Sequence, residues 1–139
     1  MKRKKVLFLC SGNSCRSQMA EGFLRYVAGD RFEVFSAGVN PTYINPFAIR
    51  VMDEIGIDIS GQQSKSIDCF LRERFDYVIT LCNNAYQRCP VFHGEYVIKH
   101  WNLEDPAVVQ GLEEERLNIF RRVRDDIIFR INRFIKLQG

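Results

Sequence analysis

The sequence has no apolar run that approaches the roughly 18 residues needed to span a membrane, although 46% of its 139 residues are hydrophobic. The basic start, Lys2 to Lys5, is followed only by the short run Val6 to Leu9, which cannot serve as the core of a secretion signal. Repeats, linkers and low-complexity segments are also absent. We therefore expect a cytoplasmic protein, with no membrane association, that folds as one domain over residues 1–139.

The net charge is also small, at +3, so the composition gives little reason to expect a nucleic-acid-binding protein. We interpret the arginines near the C-terminus as the solvated face of a helix: Arg121, Arg122, Arg124, Arg130 and Arg133. The five cysteines are odd in number and unevenly spaced, which does not fit a disulfide framework. In a reducing compartment they point to catalysis, redox chemistry or metal binding.

Strand and helix patterns alternate along the chain. Apolar and β-branched runs predict four strands, at residues 6–9, 32–35, 77–81 and 95–100, the last with the alternation of an edge strand. Helical spacing and capping residues predict helices at about 16–28, 45–56, 67–71 and from Leu112 to the C-terminus. This order favours an α/β fold, a single-domain four-stranded parallel sheet flanked by helices. Its functional site should lie at the C-terminal ends of the strands.

The loop between the first strand and the first helix is the most informative segment. It reads Cys10-Ser11-Gly12-Asn13-Ser14-Cys15-Arg16-Ser17. Small residues between a strand and a helix point backbone amides into one concavity that suits a tetrahedral oxyanion, and a guanidinium can hold two of its oxygens. Helix N-termini and cations favour the thiolate of a cysteine. We interpret Cys10 as a nucleophile and residues 11–17 as oxyanion-binding; the alternative is a structural cysteine beside a surface arginine.

Two more cysteines follow the third strand. Cys82 ends that strand as Cys10 ends the first, so the two thiols could approach each other. If the chain from Cys82 to Cys89 were helical, the two would lie about 10.5 Å apart along the axis, whereas a disulfide needs α-carbons about 5.5–6 Å apart. A Cys82–Cys89 disulfide would therefore require this segment to unwind. Core packing, or a zinc site with His93, are the alternatives.

Asp105 is the candidate general acid, because the oxygen that leaves when a thiolate attacks an oxyanion departs poorly unless it is protonated. Glu104 is the other candidate acid. The alternative interpretation of Asp105 is a turn or helix-entry residue with no catalytic role. We interpret Cys15 as a supporting or bystander thiol and Cys69 as a packing residue. Trp101 is expected to pack near the rim of the site.

Taken together, these segments resemble the thioredoxin-coupled arsenate reductases, which are built on the low-molecular-weight protein tyrosine phosphatase fold. The resemblance extends over nearly the whole chain: Leu9 to Gly22, Ser36-Ala37-Gly38, Thr80-Leu81-Cys82, Cys89-Pro90 and His100 to Ala107. Phosphatases of this fold usually carry an aromatic residue directly after Asp-Pro, whereas Ala107 follows here. That residue and the paired downstream cysteines favour the reductases.

The resemblance implies a single catalytic domain with a relay of three cysteines. Cys10 attacks arsenate held by the loop amides and Arg16, while Asp105 protonates the leaving oxygen. Cys82 then attacks Cys10 and arsenite is released. Cys89 attacks Cys82, leaving a Cys82–Cys89 disulfide for thioredoxin, or a glutaredoxin-type reductant, to reduce. The cysteines supply the electrons, so no cofactor is implied, and phosphate or sulfate should compete with arsenate.

One departure from the family concerns a metal ion. Some members bind potassium through Asn, Glu, Ser and Asp side chains. Asn13, Glu21 and Ser36 are present here, but Lys65 stands at the acidic position, so we expect no bound metal. The alternative functions are a tyrosine phosphatase acting through a Cys10 phosphocysteine, and a non-enzymatic oxyanion-binding or redox-sensing module. We expect a monomer.

Overall fold

The computed structural model describes residues 2–138. Within them, four parallel strands form one sheet in the order β2-β1-β3-β4: β1 Lys4–Cys10, β2 Phe32–Gly38, β3 Tyr77–Thr80 and β4 Val97–His100. The α-helices are α1 Arg16–Ala28, α2 Pro46–Asp53, α3 Asn83–Gln87 and α4 Glu113–Gln138, and 3-10 turns cover Ile67–Phe70 and Pro106–Val108. The predicted four-stranded parallel α/β sheet is confirmed. Among the helices of residues 2–138, none combines the length and the apolar composition of a membrane span.

The core forms around β1, an inner strand that lies between β2 and β3. Its residues from Val6 to Leu9 are at most 1% exposed, as expected for a parallel strand covered by helices on both faces. The helix α4 contributes Phe120 and Phe134, and the Phe134 ring packs against Tyr77 of β3 at 4.9 Å between centroids. The first helix has the predicted bounds, and Asn45 caps α2, accepting a hydrogen bond from the Phe47 amide at 2.8 Å.

The strand register brings the two predicted reactive segments to one edge of the sheet. Leu9 of β1 is opposite Thr80 of β3, and the Leu81 amide donates to the Leu9 carbonyl at 2.8 Å. Cys10 and Cys82, the next residues, therefore leave adjacent strands at the same C-terminal edge. On the other side of β1, Gly38 is opposite Cys10.

The arginines of α4 do not all face solvent, as the sequence had suggested. Arg124 is 9% exposed, and its guanidinium donates to the Val51 carbonyl and to Glu54 Oε1, both at 2.8 Å. Hydrogen bonds from Arg121 and Arg124 lower the pKa of Glu54 to about 2. The prediction for Arg124 is wrong because helical spacing does not show that α2 ends against this position. Leu112, predicted as the first residue of this helix, lies just before it and is exposed.

Candidate active site

The loop of residues 10–17 is held from outside through its backbone carbonyls. They accept hydrogen bonds at 2.8–3.2 Å from amides of the chain after β2, in the pairs Cys10 with Val39, Ser11 with Asn40, Gly12 with Thr42 and Ser14 with Asn45. The carbonyl and amide of a trans peptide point in opposite directions. The amides that follow these carbonyls therefore face into the loop, where they form the concavity expected for an oxyanion.

Gly38 makes this close approach possible. A Cβ atom at Gly38 would lie 2.7 Å from both the Asn13 nitrogen and the Ser11 oxygen, so any side chain would push the loop away from the end of β2. In the sequence analysis, Gly38 is only one of the residues that resemble the arsenate reductases. Its steric role depends on the register that puts it opposite Cys10.

Asn13 fixes the middle of the loop. It has a φ of 48°, and it is the only non-glycine residue between 2 and 138 with a positive φ. Its buried side-chain amide donates to Ser17 Oγ at 2.7 Å and Ser36 Oγ at 2.9 Å, and its Oδ1 accepts from the Lys65 amide at 2.8 Å. These three bonds hold a left-handed backbone that few residues adopt readily.

The two thiols of the loop have different surroundings. Cys10 Sγ lies 2.8 Å from Ser17 Oγ. Because Ser17 Oγ already accepts from Asn13, its hydroxyl proton is free to point at Cys10 and stabilise a thiolate. Burial raises the pKa of the Cys15 thiol to about 12. Cys15 is therefore protonated at neutral pH, which fits a supporting thiol better than a second nucleophile.

Arg16 and Asp105 face Cys10 across a cavity of about 380 Å³. Arg16 Nη1 donates to the Leu103 carbonyl at 3.2 Å, and Nη2 lies 3.6 Å from Asp105 Oδ2. The Nε atom of Arg16 is buried and has no hydrogen-bond acceptor, which fits a guanidinium placed to receive an anion. Glu104 is bound instead to exposed Arg122, at 2.7 Å, and does not line the cavity. Asp105 is thus the better placed acid.

Cys82 lies next to the loop, whereas Cys89 does not. Cys82 Sγ is 3.4 Å from Ser11 Oγ and accepts from the Ala85 amide, also at 3.4 Å, so it caps the start of α3. Cys89 lies beyond the end of α3, half-buried, and burial raises the pKa of its thiol. Both thiols are free. The helix α3 separates them along the chain, and it stays a prediction that a bond between them requires this segment to unwind.

Three residues singled out in the sequence lie elsewhere. Trp101 packs against Phe8 and Phe134, but it lines a separate cavity beside α4 and not the cavity with Cys10, because its ring contacts Phe134 of α4. Cys69 is exposed rather than packed, since the 3-10 turn that carries it buries only Ile67 and Phe70. His93 lies at the N-terminal end of the strands, whereas Cys82 follows the C-terminal end of β3. The two cannot share a zinc ion, so the zinc alternative is wrong.

The side chains considered for potassium do not fit a cation. Ser36 Oγ donates a short hydrogen bond to Glu21 Oε1, and the Lys65 ammonium lies 3.9 Å from the same carboxylate oxygen. That ammonium also donates to the Gln63 carbonyl at 2.6 Å. Arg25 Nη2 donates to the other carboxylate oxygen, Glu21 Oε2, at 2.6 Å. Arg25 and Lys65 together supply the positive charge beside Glu21, and no reaction step is assigned to a metal ion.

Sequence reasoning missed four residues that line the cavity with Cys10: Thr42, Tyr43, Asn45 and Arg116. The first three come from the chain after β2, and Arg116 comes from the first turns of α4. None belongs to a catalytic motif. Only their position around the loop, which depends on tertiary packing, identifies them.

Comparison with known proteins agrees with this geometry. A family model for the low molecular weight phosphotyrosine protein phosphatases matches residues 5–137. An arsenate reductase from Shouchella clausii is 47% identical over 134 residues, which cover 96% of each chain. Among solved structures, an arsenate reductase in a phosphate-binding state is 38% identical, with a TM-score of 0.80 over 98% of this chain and 99% of the other. A thioredoxin-dependent arsenate reductase from Corynebacterium glutamicum is 31% identical, with a TM-score of 0.66 over 99% of this chain and 64% of the other.

The fold and the cysteine-arginine loop thus define a class, and the chain belongs to the low molecular weight phosphotyrosine protein phosphatase family. Within that family it belongs to the branch of the arsenate reductases.

Proposed function

We propose that the protein reduces arsenate to arsenite by attack of Cys10, followed by disulfide exchange through Cys82 and Cys89. The observation that carries this proposal is the exit of Cys10 and Cys82 from adjacent strands at one edge, with Ser11 Oγ within 3.4 Å of Cys82 Sγ. A phosphatase needs only the first cysteine. The placement of a second thiol beside the oxyanion loop favours reduction.

In the first step, the Cys10 thiolate attacks arsenic and one oxygen leaves. The inward-facing loop amides and Arg16 hold the negative oxygens, and Asp105, which lines the same cavity, gives its proton so that the oxygen departs as water. The product is an arsenic(V) ester of the Cys10 thiol. No electrons have been transferred at this stage.

In the second step, the Cys82 thiolate attacks Cys10 Sγ. A sulfur–sulfur bond forms, the sulfur–arsenic bond breaks, and its electron pair stays on arsenic, which is thereby reduced from arsenic(V) to arsenic(III). The two cysteines are oxidised together to a Cys10–Cys82 disulfide. The hydrogen bond from the Ala85 amide, at 3.4 Å, holds Cys82 Sγ at the start of α3, beside the Cys10 loop.

In the third step, Cys89 attacks Cys82 and frees Cys10 for another cycle. Because Cys89 lies beyond the end of α3, this exchange needs the segment to open, and the Cys82–Cys89 disulfide then becomes accessible. A dithiol protein such as thioredoxin would return two electrons and restore both thiols. A glutathione and glutaredoxin route uses the same chemistry, so the reductant is identified by supplying each system separately.

The decisive experiment is arsenate turnover with a thioredoxin system, followed by mapping of disulfides by mass spectrometry. Cys89→Ser should stop after one turnover with a Cys10–Cys82 disulfide. Cys69→Ser is the matched control, because this thiol is exposed and outside the cavity, and it should turn over like the wild type. Full multiple turnover by Cys82→Ser would contradict the relay.

The same cavity gives a specific reason to test phosphatase activity. Phosphate shares the shape and charge of arsenate, and a Cys10 phosphocysteine needs only the loop, Arg16 and Asp105. We expect weak hydrolysis of aryl phosphates that survives Cys82→Ser. A protein that binds oxyanions or senses redox state without catalysis would show neither hydrolysis nor arsenate turnover.

A further inference from the structure

A second arginine, Arg116, shares the cavity with Arg16. Between residues 2 and 138, only two buried side-chain nitrogen or oxygen atoms lack a hydrogen-bond partner, and they are the Nε atoms of Arg16 and Arg116. The two arginines come from different helices, α1 and α4, yet both line the cavity that contains Cys10. Buried donors without acceptors are rare in folded proteins. Two of them on one cavity indicate a shared anionic ligand.

The position of Arg116 is fixed by an aromatic ring rather than by an acid. Its guanidinium carbon lies 4.4 Å from the centroid of the Phe47 ring, a cation–π contact. Of the three acidic residues just before it, Glu113 binds Arg50 and Glu114 binds Arg121, both at 2.9 Å, and Glu115 forms no salt bridge with Arg116. Within the described range, Arg116 forms no salt bridge, so its charge is available to a ligand.

Arg116 lies where the cavity opens to the surface. It also lines an adjoining surface hollow formed by residues 107–111, whereas Arg16 is 7% exposed and is tied to the Leu103 carbonyl. An anion that enters from solvent therefore meets the Arg116 charge before it reaches the Cys10 loop. The two guanidinium groups form an outer and an inner anion-binding position.

We propose that Arg116 is a second anion-binding residue of this site, which binds the entering tetrahedral oxyanion at the outer side of the cavity. For arsenate this inference rests on the proposed function, but for phosphate it does not. The same charge does not retain the product, because arsenite at neutral pH is the uncharged acid As(OH)₃. Arg116 thus attracts the substrate without holding the product.

The test compares Arg116→Gln, Arg116→Lys and Arg133→Gln in the full chain. Arg133 is the matched control, because it is exposed on the same helix, lies over an aromatic ring at 5.7 Å and does not line the cavity. Calorimetric titration with inorganic phosphate should show Kd raised about tenfold in Arg116→Gln, since one charge-assisted hydrogen bond is lost. The phosphate Kd of Arg116→Lys should lie between those of the wild type and Arg116→Gln, because lysine keeps the charge without the planar guanidinium.

Steady-state kinetics with arsenate give the second measurement. The KM of Arg116→Gln should rise about tenfold with kcat within about twofold, because the contact is made with ground state and transition state alike. Thermal unfolding checks that each variant is folded. Unchanged phosphate Kd and arsenate KM in Arg116→Gln, or equal losses in Arg133→Gln, overturn the inference. Loss of phosphate affinity in Arg116→Gln together with no arsenate turnover by the wild type would retain the inference and overturn the proposed function.

Discussion

The loop of residues 10–17 and the segment of residues 82–89 both follow a strand of the same sheet, but they are held very differently. Outside contacts bind four carbonyls of the loop, and Asn13 adds three side-chain hydrogen bonds from within. The segment contains a five-residue helix, α3, in which Ala85 is the only buried residue. Its side-chain contacts with the rest of the site are mainly Asn84 to Ser11, at 3.0 Å, and Asn83 to His100, at 3.1 Å.

This difference matches two chemical tasks. An oxyanion is stabilised best by donors that are already in place, which requires a loop that does not move. A disulfide between Cys82 and Cys89 requires the opposite, because the segment must rearrange before the two sulfurs can meet. Regions with few buried contacts open at low cost in free energy. Adjacent strands of the sheet thus carry a firmly held loop and a loosely held segment, which the proposed relay would use for oxyanion binding and for disulfide exchange.

The largest expected effect lies in the rigid region. Asp105→Asn removes the proposed proton donor for the leaving oxygen, so arsenite release in a single turnover should slow by about 10²–10⁴-fold. Glu104→Gln is the matched control, because this acid is bound to Arg122 outside the cavity, and its rate should stay near that of the wild type. A larger loss in Glu104→Gln than in Asp105→Asn would reverse the assignment of the acid.

A stability difference should separate the two regions. Asn13→Ala leaves buried partners unsatisfied and should lower the free energy of unfolding by about 2–4 kcal/mol, whereas Asn84→Ala, in the movable segment, should cost less than about 1 kcal/mol. Urea denaturation under reducing conditions measures both. Equal losses in the two variants would remove the contrast between a rigid loop and a loose segment.

The movable segment should also show its own pH dependence. Burial raises the pKa of the Cys89 thiol, so at neutral pH this residue is mostly protonated and its thiolate fraction grows as pH rises. The conversion of the Cys10–Cys82 disulfide to Cys82–Cys89 should therefore accelerate with pH, by up to about tenfold per pH unit below that pKa. Acid quenching and disulfide mapping follow the conversion. A rate that stays constant across neutral pH would show that opening of α3, not ionisation of Cys89, limits the exchange.

The smallest expected effect concerns Lys65 beside the rigid loop. Because the Lys65 ammonium and the Arg25 guanidinium both lie near the Glu21 carboxylate, we expect no ion to bind there, and replacing sodium by potassium should change kcat/KM by less than about twofold. Lys65→Asp removes the ammonium and adds a carboxylate, and its activity should become responsive to potassium. Strong stimulation of the wild type by potassium over sodium would contradict the role assigned to Lys65.

The two regions also differ in how far the sequence predicted them. The loop from Cys10 to Ser17 could be predicted because its residues are contiguous and lie between a clear strand and a clear helix. The position of Cys82 followed from the parallel order of strands. Arg116 and the steric role of Gly38 were not predictable, because they depend on which distant segments pack around the loop. Arg124 was misassigned for the same reason, since its partner Glu54 directly follows α2, which is distant in sequence.

Hydrogen–deuterium exchange of the reduced protein and of the Cys82–Cys89 oxidised protein tests the central claim most directly. We predict that oxidation speeds exchange at the amides of residues 83–89 by at least about tenfold, because α3 must open. The amides of residues 10–17 should keep their protection. Unchanged amide exchange in residues 83–89, or an equal loss of protection in residues 10–17, would contradict the division into a rigid loop and a movable segment.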